Sequence, residues 1–325
     1  MRSLFKVFFH LLSGVCGFAY DLWRYVRYAS WRLSVQDAEV RGYYSVLVYH
    51  ALEKSLSYQT RRANAGWRNA ELLLRVLQAA EQSGNASFHD CAARGVLEEF
   101  LALPENSASA QAALLREGLA RIGIVSEGTH GSMLRSRDDY EKGMLPDPEA
   151  FFFSRYSLRE FEKAPVPREI IERAVGLAIK TPSVCNRQPW KVYHTADPEV
   201  RDVVLRYQSG NSPFGQHIPN LMVITVDLKA FFFGQEHYQH WIDGGLFSMS
   251  LIYALHSLGV ASCPLNWSQT PSKDRQLRRL VGIAPNHTII MALGLGFPSS
   301  TNKVCVSARK PISAVLMELE KRKCE

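Results

Sequence analysis

The spacing of apolar residues predicts helices throughout the first third of the chain. From Asp21 to about Leu119, apolar residues recur at intervals of three and four, as in the segment 72–77. This spacing places them along one side of a helix. Stretches rich in Gly, Ser, Asn and Pro at 83–87 and 104–109 interrupt the pattern. We therefore predict several helices separated by short breaks.

The second half of the chain alternates helical patterns with short β-rich runs. The patterns predict helices between Pro167 and Pro182, at 199–208 and at 235–258, and strands at 191–193, 221–226, near 260 and at 288–293. Gly259 suits a helix C-cap. A polar run at 127–148 predicts a linker, so we divide the chain into a helical region, residues 1–148, and an α+β domain, residues 149–325.

The apolar N-terminal stretch could interact with a membrane. The stretch from Leu4 to Trp23 is largely apolar, but Lys6, His10 and Asp21 interrupt it, which argues against a spanning helix. Residues 1–35 hold five basic side chains against one acidic one. This pattern leaves two interpretations open, an interfacial helix at the membrane or an amphipathic helix packed on its own protein.

Composition narrows the class of protein. With 46% hydrophobic and 21% charged residues in a chain of 325, a sizeable core can form. Six cysteines without a C-x-x-C pair indicate neither a disulfide framework nor a zinc cluster, and we expect a cytoplasmic protein. The net charge of +7 lies entirely after residue 150. It suits phosphorylated cofactors, and since no basic run with interleaved aromatics occurs, we expect no nucleic-acid partner.

Two segments carry groups that could bind a ligand. The first, Arg155–Phe161, holds two arginines and a serine within five residues, and such donors can converge on a phosphate. A solvated basic loop is the alternative. The second, Thr181–Trp190, brackets amide side chains between prolines, which suits recognition of the polar edge of a flat heterocycle. A purely structural turn is the alternative there.

Together, these two segments resemble the FMN-dependent nitroreductase superfamily, whose domain carries R-x-S-x-R-x-F and then P-S-x-x-N-x-Q-P-W. The resemblance continues through 241–245, 263–267, 292–298 and 309–311 and covers nearly all of residues 151–325. It implies an α+β fold with a central mixed, mainly antiparallel sheet flanked by helices. It also implies an interlocked homodimer that holds FMN at its interface.

The resemblance further implies a set of cofactor-binding residues, with roles for most of them. Arg155, Ser157 and Arg309 would contact the FMN phosphate, and Arg159 would lie at the N1/O2 edge, where a cation stabilises the charge of the reduced ring. Ser183 and Asn186 would come from the neighbouring subunit, Asn211 would reach the pyrimidine edge, and the Asn266 amide would face N5. The remaining residues of the set are Tyr156, Pro182, Gln188, Pro264 and Leu265.

The sequence departs from the family at one position and lacks several competing motifs. A glutamate-glycine pair is common in the family at the positions that Asn266 and Trp267 occupy here. This departure affects the expected substrate more than the expected binding of the cofactor.

The Gly294–Gly296 pair lacks the third glycine of a dinucleotide fingerprint, so a nicotinamide would bind only transiently. His237 and His240 could ligate a metal, but with no third ligand visible we expect no metal site. Hydrolase and P-loop motifs are absent from the sequence.

The N-terminal region contains one further feature. The segment His50–Leu56 is similar to one found in long nitroreductase-like proteins associated with surface polysaccharide synthesis. There His50 and Glu53 would form either an acid/base pair over a flavin or an intrahelical hydrogen bond.

These features lead to one predicted function and two alternatives. We predict an FMN oxidoreductase that passes electrons from NADH or NADPH through flavin N5 to a small electron-poor acceptor. The alternatives are a flavin-dependent dehydrogenase of a sugar or peptide precursor, and a non-catalytic flavin-binding or interaction protein in polysaccharide assembly. A peripheral contact of residues 1–35 with the inner face of the membrane is also left open.

Overall fold

The N-terminal region folds into helices, as the apolar spacing predicts. The computed structural model describes residues 2–62, 65–128 and 130–320, with side chains from Lys6 onward. The helices of this region are α1 (Arg2–Tyr28), α2 (Ala38–Leu56), α3 (Trp67–Ser83), α4 (Phe88–Ala102), α5 (Pro104–Ser107), α6 (Ala110–Ala120) and α7 (Arg137–Glu141). The 104–109 stretch, which we interpreted as a break, thus contains a helical turn, because Pro104 occupies a first-turn position that tolerates proline.

A buried ion pair and an apolar core hold the helical region together. The Arg41 guanidinium lies 3.2 Å from the Asp90 carboxylate, and both side chains are fully buried. Arg41 also donates to the carbonyl of Asn85 at 2.7 Å. Since Asp90 forms a capping box with Ser87 at the start of α4, this pair joins α2 to the N-terminus of α4.

The C-terminal half is an α+β domain around one four-stranded sheet. Its helices are α8 (Pro148–Phe153), α9 (Arg168–Ala178), α10 (Pro198–Tyr207), α11 (Gln239–Ser257) and α12 (Pro271–Val281), and its strands are β1 (Trp190–Thr195), β2 (Asn220–Asp227), β3 (Ala261–Asn266) and β4 (His287–Gly296). The order is β1-β2-β4-β3, and every pairing is antiparallel. A parallel bridge between Ser157 and Ser262 adds the mixed character that the resemblance implies.

Both faces of the sheet are covered, which explains the continuous apolar run of β2. Met222 and Ile224 pack in one cluster with α9 and α11. Leu221 and Val223 point to the other face and pack with residues of α10 and α12. Because successive side chains of a strand point to opposite faces, a strand between two helical layers is apolar on both faces along its central run, here Leu221–Ile224.

Helix α1 and the start of α2 attach the helical region to the sheet domain. The Tyr20 hydroxyl donates to Asp274 at 2.8 Å, and Arg24 donates to the carbonyls of Pro285 and His287 at 3.0 Å each. Tyr43 donates to Asp227 at 3.1 Å. The two halves therefore share buried contacts, and the boundary between residues 148 and 149 stays a prediction.

Two elements of the sheet domain differ from the sequence expectation. Helix α11 begins at Gln239 instead of Gln235, because the Glu236 carboxylate accepts the backbone N–H groups of Phe232 and Phe233 and closes a separate turn. Helix α12 was not predicted. Its buried positions include Asp274 and Arg278 beside Leu277, so it shows little apolar periodicity.

Gly244 allows α11 to lie directly on the sheet, and its neighbour Gly245 provides a matched control. A Cβ at Gly244 would lie 2.5 Å from Ile290 Cγ1 and 2.9 Å from Val226 Cγ2, whereas at Gly245 it would meet nothing within 4 Å. We expect Gly244→Ala to lower the free energy of unfolding by about 1–3 kcal/mol through overpacking. Gly245→Ala should leave it unchanged or raise it by about 1 kcal/mol. Urea unfolding followed by circular dichroism measures both, and equal effects would contradict this packing.

Candidate functional site

The 155–159 segment is held in place by the edge of β3. The Leu158 N–H donates to the Ser262 carbonyl at 3.1 Å, and the buried Leu158 side chain anchors the segment. In an extended chain alternate residues share a side. This geometry explains the R-x-S-x-R spacing, because Arg155, Ser157 and Arg159 can then face one direction while Leu158 faces the core.

A cavity of about 390 Å³ lies beside this segment. Arg155 and Tyr156 line it on one side, and Val260, Ser262 and Val304 line it on another. Tyr156 is 42% exposed. The cavity therefore brings a predicted phosphate-binding arginine together with the start of β3.

The predicted arginines have no acidic partners in the part of the chain that the structure describes. No described carboxylate lies within 4 Å of Arg155, Arg159 or Arg309. The Arg159 guanidinium lies 5.8 Å from the centre of the Phe214 ring and 3.5 Å from Cys305 Sγ. Arg309 lies in an exposed tail and donates to the nearby Ser307 carbonyl. These three cations can therefore take an anionic ligand.

The end of β3 lies near the loop after α10. The Asn266 carbonyl accepts a hydrogen bond from Gln208 Nε2 at 3.2 Å, and the Asn266 side chain donates to Ser268 at 3.0 Å. Pro264 is exposed and Leu265 is buried. Asn211 is buried, and its amide nitrogen donates to the carbonyls of Leu205 and Gln208 at 2.8 and 2.7 Å. Its nitrogen thus supports the loop, and its role at a pyrimidine edge stays a prediction.

The 182–188 turn has a strained backbone. Cys185, Asn186 and Gln188 have φ values of 49°, 55° and 52°, in the left-handed region that favours glycine. The Gln188 N–H donates to Ser183 Oγ at 2.9 Å, while Pro182 is exposed. Three such residues in one turn persist only where surrounding contacts enforce them, and they cluster at ligand sites.

Three residues that we had not assigned to the site enforce this turn. Arg187 is 1% exposed. It donates to the Ala230 carbonyl at 2.6 Å and to Glu236 Oε2 at 3.0 Å. Asp243 is also 1% exposed and accepts the Val184 N–H at 3.3 Å. Their sequence signals were Arg187 inside the polar turn and Asp243 in the predicted 235–258 helix, but no local pattern links Glu236 to either.

The pKa values of Asp243 and Glu236 shift in opposite directions overall. Burial raises the pKa of Asp243, although Gln239 and the Val184 N–H donate to its carboxylate. Burial would also raise the pKa of Glu236, but hydrogen bonds from Arg187 and from the Phe232 backbone lower it overall. Glu236 is therefore held ionised beside Arg187.

The two predicted ligand-binding segments lie at opposite ends of the sheet. Ser157 bridges Ser262, which pairs with Leu295, which in turn pairs with Asn220 at the start of β2. The 182–188 turn leads into Trp190, which pairs with Val226 near the end of β2. Asn220 and Val226 are separated by about 20 Å along the strand at about 3.4 Å per residue. In one chain the two segments therefore connect to opposite ends of β2.

The histidines singled out in the sequence lie outside this arrangement. His50 Nδ1 lies 3.1 Å from Glu53 Oε2, so the intrahelical hydrogen bond is present. His240 is buried against Tyr25 and Phe231, and burial lowers its pKa to about 3. His237 hydrogen-bonds the Gly234 carbonyl. Within the described residues no three His, Cys, Asp or Glu side chains gather as metal ligands.

Comparison with known proteins identifies the class of this domain. Residues 153–235 match the model of the nitroreductase family. A protein of Archaeoglobus fulgidus named for NADH dehydrogenase and NAD(P)H nitroreductase activity is 28% identical over 150 residues, which cover 45% of this chain and 82% of that protein. An iodotyrosine deiodinase of Haliscomenobacter hydrossis is 25% identical, with coverage of 51% and 86%.

The similarity to a solved structure covers a similar share of this chain. An FMN-dependent nitroreductase of Clostridium difficile is 16% identical with a TM-score of 0.45, and the match covers 53% of this chain and 99% of that one. The family match and the sequence relatives support an oxidoreductase. The match to the nitroreductase family lies within residues 153–235, and the similarity to the sequence relatives covers about half of the chain.

The Arg187–Glu236 pair gives a prediction for the strained turn. A depressed carboxyl pKa stabilises the fold above the unfolded pKa of about 4.3, and this contribution is lost as pH falls through the folded value. Glu236→Gln leaves the buried Arg187 without its counter-charge, so we expect a loss of about 3 kcal/mol at pH 7. The difference from the wild type should narrow below about pH 4. Urea unfolding at both pH values measures it.

An exposed pair of the same residue types is the control. Arg168 and Glu172 lie 2.7 Å apart with side chains 71% and 60% exposed. Glu172→Gln should cost less than about 1 kcal/mol at either pH. If both variants lost the same free energy of unfolding at both pH values, the result would contradict a buried, charged Glu236.

Proposed function

We propose that this protein is a homodimeric FMN-dependent oxidoreductase that uses NADH or NADPH to reduce a small electron-poor molecule. The observation that carries the proposal is a set of three arginines, Arg155, Arg159 and Arg309, that have no carboxylate within 4 Å among the described residues. Arg155 and Arg159 lie in the segment that matches the nitroreductase family. When bound, FMN supplies the two-electron chemistry, and the protein supplies position and charge.

The chemistry of the described side chains fits this cofactor. The guanidinium groups of Arg155 and Arg309, with the Ser157 hydroxyl, provide donors for a phosphate dianion. Arg159 lies over the Phe214 ring and provides a cation for the edge of the flavin ring that becomes negative on reduction. The 182–188 turn would present Asn186 and Gln188, whose positive φ values aim their amides away from a regular strand.

Two features of the single chain support the homodimer. The two ligand-binding segments connect to points about 20 Å apart along β2, so a second copy would bring the turn to the arginines. In addition, α11 leaves an apolar side open to solvent, with Trp241, Ile242, Leu246 and Met249 between 36% and 52% exposed. An apolar surface on the helix that supports the turn suits an interface between copies.

The departure at Asn266-Trp267 has a structural counterpart. The Trp267 indole N–H donates to Asp274 at 2.8 Å, so this side chain is tied to α12 instead of lying free at the end of β3. A bulky fixed residue beside Asn266 would narrow the space above the flavin edge. We therefore propose that Trp267 restricts the acceptor to small or flat molecules.

The proposed function includes a location in the cell. We place the protein in the cytoplasm, with a peripheral contact of residues 1–35 at the inner face of the membrane. None of the described helices combines the length and apolar character needed to cross a bilayer. An association with polysaccharide synthesis, implied by the His50–Leu56 resemblance, would make a sugar precursor the alternative substrate.

The absorption spectrum of the purified protein tests the proposal. We expect bound FMN that bleaches on anaerobic addition of NADH or NADPH. Arg155→Ala and Arg159→Ala should each weaken FMN binding about ten- to a hundredfold, because each removes a charge-assisted hydrogen bond. Fluorescence titration of the stripped protein with FMN gives the dissociation constants.

Arg173→Ala is the matched control, since Arg173 is an exposed arginine of α9 away from both segments. It should leave FMN affinity and bleaching unchanged. A purified protein that holds no flavin and refuses added FMN would contradict the proposal and favour a non-catalytic interaction protein. FMN that stays oxidised with both nicotinamides would favour a dehydrogenase of a sugar or peptide precursor.

A further inference from the structure

Helix α1 attaches to the rest of the chain through its polar side. At about 100° per residue, Gly17, Tyr20, Arg24, Tyr25 and Tyr28 lie on one side, and these are the positions that the structure buries fully or partly. Toward the N-terminus the same side continues through Lys6, His10 and Ser13. The side that faces the protein body is thus the polar one.

The apolar side of α1 consequently faces solvent. Its larger side chains are between 50% and 74% exposed, and they are Val7, Phe8, Phe9, Leu11, Leu12, Val15, Phe18, Leu22, Trp23 and Val26. They cover an arc of about 200° around the helix axis. A surface helix normally buries its apolar side against its own core, whereas α1 packs on its own protein through its polar side. It leaves a large apolar surface for a partner.

A cavity of about 350 Å³ beside the C-terminal half of α1 is lined by four arginines. They are Arg24 of α1 and Arg275, Arg278 and Arg279 of α12, with Tyr20, Trp23 and Tyr28 as aromatic neighbours. Arg275 lies 5.3 Å from the centre of the Tyr20 ring. This cavity is next to the exposed apolar side, because Trp23 contributes to both.

The positive charge of this cavity is only partly compensated. Asp274 is the acidic residue bonded within it, and Arg278 binds it through two hydrogen bonds of 2.7 and 3.2 Å. Asp21 is a second nearby carboxylate: burial raises its pKa, and the charges of Arg24 and Arg278 lower it. Arg24 donates only to carbonyls, and burial together with the charge of Arg278 lowers its pKa to about 10. Four guanidinium groups against two carboxylates leave a net attraction for an anion.

We propose that α1 lies in the surface of an anionic membrane, with its apolar side at the acyl boundary and a lipid phosphate bound at Arg275 and Arg279. The inference rests on the peripheral contact included in the proposed function and gives it an orientation and a lipid class. An apolar arc flanked by basic and aromatic residues is the pattern of interfacial helices. Basic residues near an anionic surface each strengthen binding by about 1 kcal/mol.

A second copy of α1 fits this surface less well. Its apolar arc of about 200° is much broader than the narrow seam of a helix pair. The arginines at the end of the helix would also repel the same cluster on another chain. An anionic surface satisfies both the apolar arc and the charge.

Flotation of the full-length protein with lipid vesicles tests the proposal. We expect binding to vesicles of equal parts phosphatidylcholine and phosphatidylglycerol, and much weaker binding to phosphatidylcholine alone. Arg275→Gln combined with Arg279→Gln should weaken binding to the anionic vesicles about thirtyfold. Leu11→Glu combined with Val15→Glu should abolish binding to both.

Matched controls come from the exposed loop before α7. Leu134 is 101% exposed and Arg135 is also exposed, so Leu134→Glu and Arg135→Gln should leave vesicle binding unchanged. All variants should retain the FMN content and NAD(P)H turnover of the parent protein. A parent protein without flavin that still binds anionic vesicles would refute the flavin chemistry and support the membrane proposal.

Four outcomes would overturn the membrane proposal. One is no flotation with either lipid, and another is equal binding to neutral and anionic vesicles. A third is release of the protein from vesicles by inorganic phosphate at constant ionic strength, which would identify a soluble phosphate as the ligand. The fourth is a fall from dimer to monomer in the Leu11→Glu, Val15→Glu variant, measured by light scattering, which would identify a second copy as the partner.

Discussion

The separation of two ligand-binding segments by the length of strand β2 is the constraint on which the account of this protein depends. The antiparallel register connects the Ser157 bridge to one end of β2 and the 182–188 turn to the other. Both faces of the sheet are packed with helices, which holds the two segments at these ends of β2. In the proposed function, a ligand that contacts both segments therefore lies between two chains.

The strained 182–188 turn must be stabilised by contacts with the rest of the fold. Positive φ values at Cys185, Asn186 and Gln188 raise the free energy of the turn, and neighbouring contacts must offset this cost. Arg187 and its partner Glu236 provide one contact, and Asp243 provides another through the Val184 N–H. Since Asp243 lies on α11, the helix whose other side is exposed and apolar, the support of the turn and the surface for a second copy belong to one element.

Local patterns were sufficient to predict much of the fold. Strand β2 could be predicted because its centre, which is buried on both faces, is an apolar run. Gly259 follows the end of α11 with a φ of +74°, as expected for a helix C-cap. Helix α12 could not be predicted, because its buried side carries the Asp274–Arg278 pair. The orientation of α1 depends on partners such as Pro285, more than 250 positions away in the sequence, which no local pattern reveals.

The candidate site was predictable as a set of segments but not as an arrangement. The spacing of Arg155, Ser157 and Arg159 already indicates an anion-binding strand edge, and the proline-bracketed turn indicates amide donors. The distance between the segments follows only from strand register, and the ion pair that holds the turn joins residues almost fifty positions apart. Strand register and ion pairs between distant residues are long-range contacts, which a single sequence does not predict.

A mixed dimer tests the shared site most directly. One chain would carry Arg155→Ala and Arg159→Ala, and the other Asn186→Gly, which removes the amide but tolerates the positive φ. Separately tagged chains allow the heterodimer to be purified and its FMN content measured. If each site combines arginines of one chain with the turn of the other, one site in the heterodimer is intact, and about half of the wild-type FMN content is expected. FMN content as low as that of either mutant homodimer would contradict a site built from two chains.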